Sequence, residues 1–360
     1  MYNSFIVRNF RGFRELKIDQ LNRINLITGR NNVGKTALLE ALFLYCGAYN
    51  PQLAINLNAF RGITKMKLTL GQWDEIFWNS LFNQFDTSRD IELVGNYKET
   101  SGRMLWLRIV KQPSHAELIT QPVENALEVS KGVISSSEVT RLLELEYKEA
   151  ERHGKHYLIF DTQGIRMHPL PPPPPFPAFF QGARIIIPFS EEAERFGQLE
   201  IHGNQDVLLD VLQIIEPRLK RLVMIVIAGQ PILHGDIGMG RLMPLPVMGE
   251  GMARLTSLVL QIANAPKGVV LVDEIENGIH HSKMLKVWEA IAKVARKFDT
   301  QIFATTHSLE CIVSAHNAFK ESDVYDFCLH RLDYVKDAIT HVSYNQETLE
   351  AAIETELEIR

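Results

Sequence analysis

One short segment near the N-terminus constrains the fold more than any other part of this sequence. Residues 29–36 read Gly-Arg-Asn-Asn-Val-Gly-Lys-Thr and match the pattern GxxxxGK[ST], in which a glycine-rich loop binds phosphate groups. The apolar run 24–28 precedes this loop as a predicted strand, and residues 37–46 follow it with the apolar spacing of a helix. The order of strand, glycine-rich loop and helix is typical of a nucleotide-binding α/β fold.

The residue types in this loop suit the binding of phosphate groups. Consecutive backbone N–H groups and the start of the following helix attract negative charge, and glycine permits the tight chain path. Lys35 is predicted to lie along the β- and γ-phosphates, and the hydroxyl of Thr36 to bind Mg²⁺. We therefore expect ATP and Mg²⁺ as ligands; a glycine-rich turn that binds nothing is the alternative. The predicted nucleotide-binding residues of this segment are Gly29, Arg30, Asn31, Asn32, Val33, Gly34, Lys35, Thr36 and Ala37.

A second apolar run ends in two acidic residues. Val269–Val272 has the composition of a buried strand, and Asp273 and Glu274 follow it directly. At the C-terminal edge of a parallel strand one acid can hold a metal ion while its neighbour orients the attacking water. We predict that Asp273 binds Mg²⁺ and that Glu274 activates water. Without the phosphate loop, such a pair would more simply be a helix cap.

The composition excludes several other classes of protein. The chain has 360 residues, of which 46% are hydrophobic and 22% charged, and these values are ordinary for a globular protein. Its three cysteines form no CxxC pair, so neither a disulfide framework nor a cysteine metal site is expected. The formal net charge of −5 does not indicate nucleic-acid binding, although a local basic groove stays open.

The sequence gives no sign of a membrane segment. No apolar run approaches the roughly 18 residues that a membrane-spanning helix needs, and residues 1–11 lack the apolar core of a secretory signal. We therefore expect a cytoplasmic protein with no membrane partner.

Predicted strands alternate with predicted helices along most of the chain. The strand segments in the second half are continuous apolar runs, which favours a largely parallel α/β core. The predicted strands are 4–10, 13–18, 24–28, 91–97, 104–110, 156–160, 184–188, 221–227, 268–272 and 301–305. The predicted helices are 37–46, 138–152, 205–215, 253–263 and 282–297, and another is expected to start at Ser190.

We predict one nucleotide-binding domain over residues 1–360 with three parts. Residues 1–70 form a lobe with the phosphate loop, residues 71–183 an inserted, variable α+β lobe, and residues 184–360 the lobe with the acidic pair. The prolines at 169 and 171–175 are predicted to form an extended polyproline spacer. A partner that recognises proline is the alternative for this stretch.

Three short motifs frame the predicted site. Phe-Arg-Gly-Phe occupies residues 10–13, the acids Asp273 and Glu274 follow their strand, and Thr-Thr-His-Ser occupies residues 305–308. Together they resemble the ABC-type ATPase heads, and among these the RecF/SMC-like and overcoming-lysogenisation-defect (OLD-like) ATPases of the AAA family. The resemblance covers almost the whole chain. It implies an α/β P-loop NTPase, an ABC-ATPase-like head with a mixed or parallel sheet core and an inserted lobe.

The resemblance also implies roles in the second half of the chain. By position, His307 is the switch histidine that senses the γ-phosphate. Residues 248–252 stand in place of the signature motif, which closes over the nucleotide of a second subunit, and Gly249 replaces its usual serine. Gly249 and Gly251 are expected to contact phosphate through backbone N–H groups; a plain glycine turn is the alternative. The predicted catalytic residues are Lys35, Glu274 and His307.

Two further positions stay open between two interpretations. Arg11 matches an N-terminal arginine that approaches the nucleotide in related heads, and a surface arginine on a strand fits the same position. Gln72 is a candidate for the glutamine that binds the metal ion in such heads, but its spacing does not prove this role. The candidate metal ligands are Thr36, Asp273 and Gln72.

The resemblance implies a switch that is driven by ATP. Such a protein hydrolyses ATP and dimerises head-to-tail when ATP is bound, so we expect a homodimer or a higher oligomer. Stand-alone heads of this kind resemble the ATPase components of anti-phage gene pairs, and the expected partner is a separately encoded effector such as a TOPRIM-like nuclease. Two alternatives stay open. One is a DNA-binding repair or maintenance ATPase of the RecF/SMC type, and the other is a transporter ATPase subunit, which the motif at residues 10–13 disfavours.

Overall fold

The fold is described from a computed structural model that covers residues 1–61, 77–97, 102–111, 141–161, 164–183, 187–336 and 338–360. Gln72 and residues 184–186 of one predicted strand lie outside these ranges. The strands are β1 Tyr2–Phe10, β2 Phe13–Ile18, β3 Ile24–Gly29, β4 Ile91–Tyr97, β5 Arg103–Lys111, β6 Arg141–Glu149, β7 Arg152–Asp161, β8 Gly164–His168, β9 Ala178–Gln181, β10 Arg221–Ile227, β11 Gln230–Asp236, β12 Met243–Pro244, β13 Val269–Val272, β14 Gln301–Thr305, β15 Phe327–Val335 and β16 Ala338–Tyr344. The α-helices are α1 Lys35–Cys46, α2 Leu53–Phe60, α3 Phe189–Ile201, α4 Gln205–Ile215, α5 Glu250–Ala263, α6 His281–Phe298, α7 Leu309–Lys320 and α8 Gln346–Glu354.

A six-stranded sheet with the order β16–β15–β3–β14–β13–β9 lies at the centre of the fold. Its neighbouring strands are parallel except for the pair β15 and β16, so the predicted largely parallel α/β core is confirmed. All residues of β3, β13 and β14 are buried, as expected for strands covered on both faces. The C-terminal ends of these three strands, at Gly29, Val272 and Thr305, meet at one edge of the sheet.

A second sheet has seven antiparallel strands in the order β2–β1–β4–β5–β6–β7–β8. Strands β4 to β8 come from the segment that was predicted to be an inserted lobe, and β4 pairs directly with β1. Helix α1 lies between the two sheets, because its apolar side chains form one buried cluster with residues of both. A helix that is apolar on nearly all sides needs such a buried place. The division of the chain at residues 70 and 183 stays a prediction.

The other face of the central sheet is covered by helices α3 to α8, whose apolar side chains form a second buried cluster with β3, β13 and β14. Helix α5 is the most deeply buried of them and begins directly after Gly249. A small sheet with the order β10–β11–β12 contacts α3 through β11. Within the ranges given above, no helix is long and apolar enough to cross a membrane.

The predicted helix at 138–152 is wrong, because this segment contains strand β6 and the start of β7. Its charged residues suggested an exposed helix. In the sheet, Leu143 and Leu145 are fully buried, while Glu144 and Glu146 alternate with them and form ion pairs with basic side chains on neighbouring strands. The period of two residues is that of a strand.

Most other predicted elements are confirmed. The predicted bounds of the segments 91–97, 205–215, 221–227 and 301–305 agree with those of the structure. Of the predicted strand at 184–188, the two residues that the structure describes lie outside any strand, and the paired strand is β9, a few residues earlier. The prolines at 171–175 lie outside helices and strands, in agreement with a spacer.

Candidate functional site

The phosphate loop connects the C-terminal end of β3 to the first turn of α1. Gly29 has a φ of +138° and Gly34 a φ of +100°, which glycine adopts much more readily than other residues. A side-chain carbon at Gly29 would lie 2.3 Å from the carbonyl oxygen of Leu332, and one at Gly34 would lie 2.9 Å from the ring of Phe13. Both glycines are therefore required by the backbone conformation and by close packing. Arg30, Asn31 and Asn32 are exposed at the tip of the loop, whereas Val33 and Ala37 are buried.

Lys35 places a buried ammonium group inside this loop. Its Nζ donates hydrogen bonds to the carbonyl oxygens of Gly29 at 2.6 Å and Arg30 at 2.9 Å. Burial lowers the pKa of Lys35 to about 8, although the nearby acids, of which Asp273 has the largest effect, raise it. Because desolvation disfavours the ammonium group, an anion in the loop would stabilise its charged form. The arrangement suits a polyphosphate ligand.

Thr36 and Asp273 bring the two predicted metal ligands together. The hydroxyl of Thr36 lies 3.2 Å from Oδ1 and 3.1 Å from Oδ2 of Asp273. Burial raises the pKa of Asp273, while hydrogen bonds from Thr305 and Thr36 lower it. A hydroxyl and a carboxylate are the hard oxygen ligands that Mg²⁺ prefers. These two residues fit a magnesium site, and Gln72, the third candidate, lies outside the described residues.

Glu274 presents a half-exposed carboxylate next to this pair. Its backbone has a φ of +51°, and its N–H group donates to the hydroxyl of Thr305 at 2.8 Å. One carboxylate oxygen accepts a hydrogen bond from the amide of Asn277 at 2.6 Å. The other lies 4.0 Å from Nε2 of His307. The predicted base and the predicted switch histidine are thus neighbours at the solvent side of the site.

Glu276 is a third acid at the site, and the sequence analysis did not include it. Its Oε1 accepts a hydrogen bond from the backbone N–H of His307 at 2.8 Å, and its Oε2 is buried without a hydrogen-bond partner among the residues that the structure describes. Its charge also raises the pKa of Lys35. Its position two residues after Glu274 is the only sequence signal that points to it. Glu276 fixes where His307 stands relative to the acidic pair.

Arg254 on helix α5 is a second residue that the motifs did not reveal. Its guanidinium donates to the carbonyl oxygens of Asp273 at 3.0 Å, Glu274 at 3.1 Å and Ala183 at 3.1 Å. Burial lowers the pKa of Arg254, and the neighbouring acid Glu250 has the largest opposing effect. Arg254 therefore ties α5 to the backbone of the acidic pair in the same chain.

Gly249 and Gly251, the two glycines predicted to belong to the signature motif, differ in their surroundings. Gly249 is exposed with a φ of +121°, and no atom lies within 4 Å of the point where a side chain would start. Gly251 is buried in the first turn of α5, where a side-chain carbon would lie 2.1 Å from the carbonyl oxygen of Gly278. A glycine at position 251 is thus explained by close packing against Gly278 in the same chain. Gly249 is the glycine that stands open to a second molecule.

Arg11 lies in a charged cluster beside α1. Its Nε is 3.1 Å from Oε2 of Glu40, and its guanidinium also donates to Asn58 at 3.1 Å. Arg61 binds Glu40 through two nitrogens, at 2.6 and 2.9 Å. This hydrogen bond to Glu40 raises the pKa of Arg61, and the charge of Asp273 adds to the rise. The structure therefore places this cluster within electrostatic reach of Asp273, the predicted metal ligand. A direct contact between Arg11 and a nucleotide stays a prediction.

Each half of the chain matches a known sequence family. Residues 1–156 match the family described as "AAA ATPase domain", and these include the phosphate loop. Residues 175–312 match the family described as "AAA domain, putative AbiEii toxin, Type IV TA system", and these include Asp273, Glu274 and His307. Together with the fold and the geometry of the site, the matches indicate an ATPase, of which two segments are similar to AAA-type ATPase domains. The predicted enzyme class, ATP hydrolase, is confirmed.

Individual proteins are similar to this chain as well, over all or part of its length. An ATP/GTP phosphatase of Helicobacter pylori is 24% identical over 378 residues, which cover 96% of this chain and 97% of that protein. An uncharacterized protein of Methanocaldococcus jannaschii, MJECL10, is 48% identical over 48 residues, which cover 13% of this chain and 22% of that protein. The crystal structure of an Smc head bound to the C-winged helix domain of ScpA covers 98% of this chain and 99% of its own, with a TM-score of 0.51 and 11% identity. This last similarity shows the fold, and the predicted P-loop α/β class is confirmed.

Proposed function

We propose that this ATPase is a switch that dimerises head-to-tail when ATP is bound and opens after hydrolysis. The nucleotide would sit between the phosphate loop of one subunit and the signature turn of the other. Loss of the γ-phosphate would remove contacts that only the closed state makes, so hydrolysis would shift the equilibrium towards separate subunits.

Four side chains of one chain supply the chemistry. Lys35 would balance the charge of the β- and γ-phosphates. The carboxylate of Glu274 would accept a proton from water while the water oxygen bonds to the γ-phosphorus and the bond to ADP breaks. Thr36 and Asp273 would hold Mg²⁺, which neutralises phosphate charge when bound.

His307 would complete the site as the sensor of the γ-phosphate. It is half-exposed, its Nε2 lies 4.0 Å from Glu274, and Glu276 holds its backbone at 2.8 Å. An imidazole in this place can donate a hydrogen bond to a phosphate oxygen next to the water that Glu274 activates. Because that phosphate leaves after hydrolysis, the contact would distinguish the ATP state from the ADP state.

The observation that carries the dimer proposal is the exposure of Gly249. The groups for hydrolysis meet within one chain, whereas Gly249 stands at the start of α5 with no atom within 4 Å of its side-chain position. An open glycine at a helix start leaves backbone N–H groups accessible to a phosphate of another molecule. This is the arrangement that a composite site between two chains requires.

The proposed biological role is the control of a separately encoded effector in anti-phage defence. The match of residues 175–312 to a family described with a toxin–antitoxin system supports this role, as does the resemblance to OLD-like heads. A TOPRIM-like nuclease is the proposed effector. The solved Smc head with the same fold is bound to a domain of ScpA, which supports a partner protein in general terms.

The test uses Glu274→Gln, which removes the proton acceptor but keeps the shape of the side chain. The variant is expected to bind ATP with normal affinity and to turn over at least about 10²-fold more slowly, the usual scale for a general base. With ATP it should accumulate as a dimer, measured as molar mass by light scattering after size exclusion. Lys35→Ala is the control that should lose ATP binding and stay monomeric.

Two outcomes would contradict this account in different places. A Glu274→Gln variant with normal turnover would place the base elsewhere. A variant that binds ATP and hydrolyses it slowly but stays monomeric would refute the switch and leave the ATPase intact. Repeating the mass measurement with DNA tests the alternative of a RecF/SMC-type maintenance ATPase, for which the dimer should form more readily with DNA than without it.

A further inference from the structure

An exposed aromatic side chain stands at the C-terminal end of β15, the strand beside the phosphate loop. Tyr334 is 66% exposed. Its ring stacks on no other ring, and its hydroxyl has no hydrogen-bond partner among the residues that the structure describes. At this exposure the Tyr334 ring contributes little to the hydrophobic core, so packing alone does not explain an aromatic residue at this position.

The register of the central sheet places Tyr334 on the ligand side of the loop. Strand β15 runs parallel to β3, and Leu332 pairs with Gly29, the first residue of the phosphate loop. Tyr334 lies two residues further, about 7 Å along the strand direction at about 3.3 Å per residue. In open α/β sheets, ligands bind beyond the C-terminal ends of the strands. Tyr334 therefore projects from the same edge that carries the loop.

The alternation of side chains places Tyr334 on the same face as the loop. Residues two apart on a strand share a face, so Tyr334 shares that of Leu332, which is buried with Val33 of the loop. Across the hairpin, Tyr334 pairs with Ile339. The Cδ1 atom of Ile339 lies 3.5 Å from the side-chain position of Gly34. Ile339 therefore links the position of Tyr334 to the phosphate loop.

The geometry points to Tyr334 as the platform on which the purine base of the bound nucleotide stacks. The inference rests on the proposed nucleotide site and extends it from the phosphates to the base. A phosphate loop holds one end of a nucleotide, and the flat base at the other end needs an apolar surface. A tyrosine ring gives such a surface and stacks with any base, because every base has a π-face. The site should therefore accept adenine and guanine alike.

The test separates binding of the base from binding of the phosphates. Affinities for ATP, GTP and inorganic tripolyphosphate are measured by titration calorimetry for wild type, Tyr334→Ala and Tyr334→Phe. We expect Tyr334→Ala to weaken ATP and GTP about 5- to 100-fold, the range for one base–aromatic stack, with tripolyphosphate unchanged. Tyr334→Phe should bind all three like wild type. Leu357→Ala, which changes a 62% exposed residue in the C-terminal segment, is the matched surface control.

Each remaining result overturns a stated part of the account. Equal weakening of tripolyphosphate and ATP in Tyr334→Ala would mean that the variant disturbs the loop, and the platform would be wrong. Unchanged ATP affinity in Tyr334→Ala, with binding lost in Lys35→Ala, would refute the platform and leave the nucleotide site standing. Unchanged ATP affinity in both variants would refute the nucleotide site itself.

Discussion

The hydroxyl of Thr305 donates a hydrogen bond to Oδ1 of Asp273 at 2.7 Å. The hydroxyl oxygen of Thr305 in turn accepts a hydrogen bond from the backbone N–H of Glu274 at 2.8 Å. Thr305 is fully buried at the end of β14, so one side chain from a neighbouring strand holds both acids of the site. We expect Thr305 to act as a positioning residue, because it contacts the predicted metal ligand Asp273 and the predicted base Glu274 without being either.

Thr305→Val is expected to weaken Mg²⁺ binding and activity by about 10- to 100-fold, the scale for groups that orient a metal ligand. Valine keeps the shape but removes the donor that lowers the pKa of Asp273. The pKa of Asp273 should rise, so protons should compete better with Mg²⁺ as the pH falls. The measurement is a Mg²⁺ titration of ATPase activity at pH 6 and pH 8. Thr305→Ser keeps the hydroxyl and should behave like wild type, and an unchanged Mg²⁺ dependence in Thr305→Val would refute the role.

Gly251→Ala is expected to lower the free energy of unfolding by about 1–3 kcal/mol, the cost of overpacking a closely packed site. The added carbon would lie 2.1 Å from the carbonyl oxygen of Gly278, so backbone would have to move. Urea unfolding measures the effect. A bulky residue at Gly251 would for this reason disturb its own chain, and it is a poor probe of contacts with a second subunit.

Gly197→Ala is the matched control for this variant. Gly197 also lies in a helix, α3, and no atom lies within 4 Å of its side-chain position. Alanine there should raise the free energy of unfolding by about 0.5–1 kcal/mol through helix propensity. If both variants shift stability in the same direction and by the same amount, the contact between Gly251 and Gly278 does not matter.

The pH dependence of stability should reveal a buried histidine on β15, the strand that pairs with β3 beside the phosphate loop. His330 lies between Asn25, at 3.2 Å, and His341, at 3.1 Å, and burial lowers its pKa to about 3. At pH 7 it is neutral in the folded and the unfolded chain. Between about pH 6.5 and pH 3 the unfolded chain binds a proton that the folded chain excludes, so stability should fall by about 1.4 kcal/mol per pH unit.

Urea unfolding at pH 7, 6 and 5 tests this prediction. His330→Gln removes the titrating group and should show a smaller fall in stability from pH 7 to pH 5 than wild type, whatever its stability at pH 7. Equal slopes for the two proteins would show that His330 is not the group that titrates. His202→Gln, which changes an exposed histidine that bonds a backbone carbonyl, is the control that should keep the wild-type slope.

Sequence patterns predicted the elements in which local signals agree with tertiary structure. The strands Ile24–Gly29, Val269–Val272 and Gln301–Thr305 are short, fully buried runs that polar residues follow, and the structure has strands at these places. The segment 138–152 failed because its charges suggested a helix while its leucines had the period of a strand. Strand pairing across the chain decides such a conflict.

The parts of the site that the sequence did not reveal are contacts made after folding. Arg254 donates hydrogen bonds to the carbonyl oxygens of Asp273 and Glu274. In the sequence, nothing distinguishes Arg254 from another hydrogen-bond donor on α5. Thr305 belongs to the motif at residues 305–308, but its hydrogen bond to Asp273 follows from the pairing of β13 with β14. The strand β15 carries Tyr334 to the loop only because it pairs with β3. No local pattern encodes these neighbours.

The most direct test of the central claim, a composite site between two chains, mixes two inactive proteins. Lys35→Ala removes the ammonium group of the phosphate loop and should abolish ATP binding. Gly249→Leu should block the exposed turn at Gly249, the predicted signature, while the monomer still binds ATP. Gly203→Leu is its control, because Gly203 also has a positive φ, of +66°, and open space around it. That control should dimerise and hydrolyse ATP like wild type.

In a mixed dimer one site would carry both defects and the other neither. The intact site combines the loop of the Gly249→Leu chain with the signature of the Lys35→Ala chain. Differently tagged chains allow the mixed dimers to be isolated and their ATP turnover measured. The account predicts hydrolysis by these dimers well above that of either variant alone, and up to about half of the wild-type rate per dimer, because one of two equivalent sites is intact. Isolated mixed dimers as inactive as the single variants, or a Gly249→Leu protein with wild-type dimerisation and turnover, would contradict it.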